Sequence, residues 1–222
     1  MVTENYATKN VTDENGFDIK TAFDALFILF GTSNQGKTST LYELLRLLGR
    51  KSKDIKTKAV TSFIKDMERI DPKTGRLYYE DTRVIIPYGK FYIAIATFGD
   101  YRDVCEDTMF FFRQDSKCPS FYFYDGKALI STKESNLSSE QKKVLKKVKP
   151  TIFLSACRTE GGAVDAMDYC SHYYLRHIAR IFWIRKLGSN HDYTKSRQSS
   201  SDKKYAKDLA DAIDRILKQK IL

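Results

Sequence analysis

The chain has 222 residues, 42% hydrophobic and 13% aromatic, which is enough to bury one domain's core and excludes wholesale disorder. Lys and Arg number 38 against 28 Asp and Glu, a net charge of +10 that favours anionic partners: nucleotides, nucleic acid or an acidic membrane surface. The four cysteines (Cys105, Cys118, Cys157, Cys170) form no CxxC pair, the N-terminus is too polar for a signal peptide, and the most apolar early stretch, 23–30, is too short to cross a bilayer, so a soluble cytoplasmic chain with reduced thiols and no membrane span is expected.

Residues 1–20 are polar and predict a frayed, flexible arm ahead of a single domain over 21–222. The aromatic-rich run at 23–30 (FDALFILF), followed at once by Gly31, predicts a buried strand. Leu41, Leu44, Leu45 and Leu48 recur at helical spacing and predict a helix over 37–48, with Gly49 placed to end it. Residues 50–56 read as a charged connection and 59–64 as a second strand. Residues 76–86 and 91–98 form strands of a hairpin around the turn-like PYGK at 87–90. A helix is expected over 101–112 and a short hairpin over 121–132. Ser138 and Gln141 fit a capping box opening a basic helix that Pro150 stops. A strand over 151–157, a helix over 163–179 and a strand within 179–187 follow. Residues 188–204 are Ser-rich and charged and predict a mobile loop. A final helix carries Ala206, Leu209, Ala210, Ile213, Ile216 and Leu217 on one face. Strands alternating with helices predict a three-layer α/β sandwich, with a mostly parallel central sheet and an antiparallel hairpin.

Residues 31–38 read GTSNQGKT, the pattern G-x-x-x-x-G-K-[ST], with a predicted strand running in and a predicted helix running out. Gly31 and Gly36 permit a backbone wrap in which the amides of Gly31, Thr32, Ser33, Asn34, Gln35, Gly36, Lys37, Thr38 and Ser39 face an anion. The helix start adds the positive end of its dipole at the same spot. Lys37 supplies a point charge for the β and γ phosphates, and the Thr38 hydroxyl is a hard oxygen ligand for Mg²⁺. On these residues the chain resembles the P-loop NTPases. The resemblance implies binding of a nucleoside triphosphate with Mg²⁺, and hydrolysis or phosphoryl transfer as the chemistry. It is tight over the Walker A segment and extends elsewhere only to the order of elements.

The same resemblance calls for an acid at the end of a neighbouring strand, and 91–103 (FYIAIATFGDYRD) supplies the candidate strand. Its hairpin-then-strand layout resembles the switch region of small GTPases. Against their DTAGQ stretch, ATFGD keeps Thr97 and Gly99, has Ala96 in place of the acid, and puts Asp100 where the water-orienting Gln would be. Asp100 is therefore the candidate for holding Mg²⁺ through water and for orienting or deprotonating a nucleophile; the plain reading is a turn that caps the next helix. The segment TIFLSACRTEGG (151–162) carries no N/TKxD motif for guanine, which favours ATP, and Arg158 is placed to contact phosphate or base, with Glu160 as support.

LSACR is similar to the cysteine strand of caspase-like peptidases, but His172, His177 and His191 all lie downstream, so Cys157 reads as a small buried residue. Cys157, Cys170, His172 and His177 lack the paired spacing of a zinc knuckle. The basic run 142–149 reads as the solvated face of a sheet-covering helix. Arg176, Arg180, Arg185 and Lys186 mix with Tyr173, Tyr174, Phe182 and Trp183, a pattern suited to single-stranded nucleic acid but here placed in predicted core elements. Three functions follow: an ATP-dependent NTPase or kinase, a kinase acting on a nucleotide or nucleic acid, and a nucleotide-dependent switch or regulatory partner with little turnover.

Overall fold

A computed structural model describes residues 2–5, 25–32, 36–75, 77–99, 101–114, 116–133, 137–159, 162–175, 180–186 and 195–219. The elements run β1 (Val2–Asn5), β2 (Ala25–Gly31), α1 (Lys37–Lys51), α2 (Thr57–Met67), β3 (Glu68–Ile70), β4 (Leu77–Tyr79), β5 (Arg83–Tyr88), β6 (Phe91–Ala96), α3 (Arg102–Arg113), β7 (Tyr122–Tyr124), β8 (Leu129–Ser131), α4 (Ser139–Lys147), β9 (Ile152–Arg158), α5 (Ala163–Tyr174), β10 (Arg180–Arg185) and α6 (Lys195–Gln219).

Eight strands form one sheet in the order β1-β10-β2-β9-β6-β5-β7-β8, and β3 pairs with β4 in a separate antiparallel ribbon. The pairings β10/β2, β2/β9, β9/β6 and β5/β7 are parallel; β1/β10, β5/β6 and β7/β8 are antiparallel. The central strands β2 and β9 are near-continuous apolar runs because both of their faces are covered. Ala25, Phe27 and Leu29 of β2 face one core with α1, α2 and α6, while Leu26 and Ile28 face a second core with α3, α4 and α5. The result is the three-layer α/β arrangement expected of alternating strands and helices, with a mostly parallel sheet.

Several boundaries differ from the sequence reading. Residues 59–64 are helical: Val60, Phe63, Ile64 and Met67 are buried at i, i+3, i+4 and i+7, a helical stripe rather than a strand's alternation. Gly49 does not end α1, which continues to Lys51. A Cβ at Gly49 would stand 2.7 Å from Val60 Cγ2, so this glycine serves the close approach of α1 and α2. The stretch 77–86 is two strands, separated at Glu80–Thr82 where the chain passes α1. Helix α5 stops at Tyr174; 176–179 lie outside the described residues. Of the arm over 1–20, Val2–Asn5 is a strand on the outer edge of β10, and the rest is outside the described residues. Of the loop over 188–204, residues 195–204 belong to α6, whose buried Asp202 and Ala206 tie it to the core; 188–194 are outside the described residues.

The capping box at Ser138 and Gln141 is present in full, and the apolar face of α6 from Ala206 to Leu217 is buried as its periodicity predicts. Val144, Leu145 and Val148 pack against the second core while Lys142, Lys143, Lys146 and Lys147 are exposed, the solvated face expected of this basic run. Among the described residues, no helix is long and apolar enough to cross a membrane.

Candidate functional site

The C-terminal ends of β2, β9, β10 and β6 meet at one edge of the sheet, where open α/β folds collect their ligands. Gly31 closes β2, in register with Arg158 of β9. Ser33, Asn34 and Gln35 lie outside the described residues. Gly36 re-enters with φ +74°, a left-handed conformation that glycine adopts without strain, and its carbonyl accepts from Thr40 N at 2.8 Å. Helix α1 then starts at Lys37 with no side-chain cap from Gly36 and no acid within its first turn.

Lys37 is 8% exposed, and its Nζ donates to the carbonyls of Gly31 at 2.9 Å and Thr32 at 2.8 Å. The ammonium thus spans from the helix start back to the strand end, across the mouth of the loop. Thr38 Oγ1 donates to Asp81 Oδ1 at 3.3 Å, and Thr97 Oγ1 donates to the same oxygen at 3.0 Å. Thr97 is fixed in turn by Thr82, whose N–H donates to its hydroxyl at 2.7 Å. One helical turn beyond Thr38, the phenol of Tyr42 donates to the Glu80 carbonyl at 2.7 Å and stacks on Tyr79. Burial, with Asp81 and Glu80 nearby, pushes the Tyr42 phenol far above its ordinary value, so it stays a donor. Two residues on one face of α1 therefore hold the connection between β4 and β5.

Asp81 is an acid at this edge that no sequence motif marked. The expected acid-bearing strand, β6, is not the neighbour of β2: β9 lies between them. Asp81 instead reaches the site from the start of β5, which is antiparallel to β6 and so begins at the same sheet edge. Asp100 itself is outside the described residues. The backbone leading to it crosses the end of β9: Arg158 N donates to Gly99 O at 3.1 Å, and a Cβ at Gly99 would lie 1.7 Å from Ala156 O. Arg158 is thereby placed beside Gly31 and Gly99, half-buried. Ser39 sits half-buried in the first turn of α1.

On the opposite flank, Asp202 of α6 packs directly on Gly36. A Cβ there would be 2.7 Å from Asp202 Oδ1, so this glycine is required by packing as well as by its φ. The Asp202 carboxylate accepts from Thr40 Oγ1 at 3.1 Å and pairs with Lys186 Nζ at 2.7 Å; both partners of that pair are buried. Asp202 and Lys186 carried no motif in the sequence. The one available signal was an acid at 202 four residues ahead of the apolar stripe of α6.

Hard oxygen donors at Thr38 and Asp81 suit Mg²⁺, which keeps several waters and takes one or two carboxylates plus phosphate oxygens. Among the described residues no group of three or more His, Cys, Asp or Glu side chains converges to hold a metal unaided. Cys105, Cys157 and Cys170 are buried, and burial pushes the Cys170 thiol up to about 11, which suits packing and not nucleophilic work. Phe182 stacks on Phe27 and Trp183 meets Phe30 edge-on, so these aromatics belong to the core, while Tyr173 is exposed and stacks on Tyr169. The chain matches no protein-family model, no curated protein and no solved structure.

Proposed function

We propose that the chain is a P-loop nucleotide-binding protein that takes ATP with Mg²⁺ and hydrolyses it or transfers its terminal phosphoryl group. The observation that supports this best is Lys37: a buried ammonium in the first turn of α1 whose Nζ reaches back to the carbonyls of Gly31 and Thr32 at the end of β2. A phosphate oxygen forms a charge-assisted bond with an ammonium, so a polyphosphate bound at this edge would engage Nζ. The loop amides and the dipole of α1 favour the same anion. Thr38 and Asp81 would hold Mg²⁺, which supplies charge neutralisation at the phosphates; Asp81 is oriented for this by Thr97. Arg158, in register with Gly31, would contact the phosphate or base, and Asp100 would orient or deprotonate an attacking group. ATP is preferred to GTP because no guanine-reading N/TKxD follows β9.

Calorimetry and thermal melts with ATP and Mg²⁺ test the reading. At a ligand concentration of 100 Kd, the wild-type chain is expected to gain about 2.7 kcal/mol of stability. Lys37→Ala is expected to lose that gain together with turnover, and unchanged turnover in that variant would refute the proposal.

A second reading, a nucleotide-dependent switch with little turnover, is favoured by the β3–β4 ribbon. Its tip pairs Ile70 with Leu77, which are 69% and 49% exposed, and the chain runs from this ribbon through Glu80 straight to Asp81. A protein partner at these apolar residues would feel what Thr38 binds. Negligible hydrolysis until a partner is added distinguishes this reading from the first. An acceptor made of nucleic acid is distinguished by steeply salt-dependent retention of DNA or RNA.

A further inference from the structure

A carboxylate directly under an anion-binding turn is electrostatically misplaced, because it repels the ligand the turn is built to receive. Asp202 occupies that position. Its oxygens lie 2.7 and 3.1 Å from where a Cβ on Gly36 would stand, and the residue is 3% exposed. The cation that answers it is Lys186, 1% exposed, whose Nζ is 2.7 Å from Asp202 Oδ1 and also donates to Ser201 Oγ at 3.0 Å. Its ammonium lies 4.3 Å from the centre of the Tyr205 ring, a further favourable contact for a buried cation. Lys186 is anchored to the phosphate-loop strand as well: its backbone N–H donates to Phe30 O at 2.7 Å, one residue before Gly31. Burial pushes the Asp202 carboxyl upward, and the bonds from Lys186 and Thr40 oppose that push.

We propose that Lys186 is a positioning residue for nucleotide binding: it neutralises Asp202 beneath Gly36, so that the carboxylate can brace the turn through Thr40 without repelling the phosphates. The inference rests on the nucleotide-binding reading of the loop and adds a residue from β10 and one from α6 to it. Asp202 contributes geometry, Lys186 cancels its charge, and neither needs to touch the ligand.

The sign of the effect tests this. Calorimetry with ATP–Mg²⁺, and separately with inorganic tripolyphosphate, is run on the full chain and three variants, with urea melts alongside. Asp202→Asn keeps an oxygen for Thr40 and Lys186 but removes the negative charge, so it is expected to bind both ligands severalfold more tightly while losing stability. Lys186→Met is expected to bind on the order of tenfold more weakly, because an uncompensated charge lies under the turn. The double variant Lys186→Met/Asp202→Asn is expected to return to within about threefold of wild type. A purely structural pair predicts weaker binding in all three variants, and that result, or weaker binding by Asp202→Asn alone, overturns the inference. Should Lys186→Met fail to fold, as a broken buried pair can, the direction of the Asp202→Asn change still decides. A wild-type chain silent to both ligands overturns the nucleotide reading and this inference together. Wild-type binding with unaltered affinity in Lys186→Met overturns this inference alone.

Discussion

The two flanks of the connection from β2 to α1 are built on opposite plans. On the β10–α6 side, Gly36 rests on a buried carboxylate that is paired, hydrogen-bonded and sealed from water. On the β5–β6 side, Thr38 meets Asp81, an exposed carboxylate on a short connection that leads into an exposed ribbon. A buried charge pair is costly to disturb, since removing one partner strands the other in a low-dielectric interior. An exposed hydrogen-bonded acid is cheap to move. The first flank is thus suited to fixing the shape of the turn, and the second to exchanging its contacts when a ligand arrives.

The comparison breaks most visibly at the backbone crossing that joins β6 to β9. Gly99→Ala would put a methyl group inside the van der Waals radius of the Ala156 carbonyl, which is backbone and cannot rotate away. A loss of about 3 kcal/mol or more is expected in urea unfolding, and a variant within 1 kcal/mol of wild type would show that the crossing is loose. Next in size is Asp81→Asn. Because Asp81 is exposed, its stability change should stay within about 0.5 kcal/mol. Its Mg²⁺ requirement for ATP binding should nevertheless rise by roughly tenfold, read as a shift in the magnesium titration midpoint. Equal losses of stability and affinity would erase the contrast between the flanks.

The smallest effect concerns how α6 is held on α1. Lys51 Nζ pairs with Asp214 at 2.9 Å and Asp211 at 3.2 Å, and the Tyr88 phenol donates to Asp214 at 2.7 Å. Burial alone would raise the Asp214 carboxyl, but the bonds from Lys51 and Tyr88 outweigh it and hold the group below its ordinary value of 3.8. A depressed folded-state value means that the contribution is fully present above the unfolded value and is lost as pH falls through the lower, folded one. Asp214→Asn should therefore cost less than about 1 kcal/mol at pH 7, after allowance for solvent screening, and the gap from wild type should close on acidification below pH 4. A gap that persists there would assign the loss to packing.

Much of the fold was legible because its signals are local. The capping box at Ser138, the stripe on α6 and the apolar runs of β2 and β9 each require only a few adjacent residues. The helix over 57–67 was misread because the six-residue window 59–64 holds only Val60, Phe63 and Ile64; the full i, i+3, i+4, i+7 stripe shows only when Met67 is included. At the site, GTSNQGKT marked the segment where α1 opens, and there Lys37 bonds the Gly31 and Thr32 carbonyls while Thr38 bonds Asp81. Asp81 and Asp202 were not legible, for they lie 43 and 162 residues from the side chains they engage, Thr38 and Thr40. Only the antiparallel turn of β5 and the return of α6 over β2 bring them in. Gly99 was read as a glycine shared with the DTAGQ stretch, or plainly as part of a turn, whereas a side chain there would meet the carbonyl of a strand more than fifty residues later.

Gly49 has a mechanical meaning as well. With no side chain between it and Val60, the two helices touch backbone to branch, and neither can slide without the other. Helix α1 is 15 residues long, roughly 22 Å, with Lys37 at its front end and this contact near its rear. A rotation imposed at the front would be carried through this contact to α2, which runs without interruption into the first strand of the ribbon that bears Ile70.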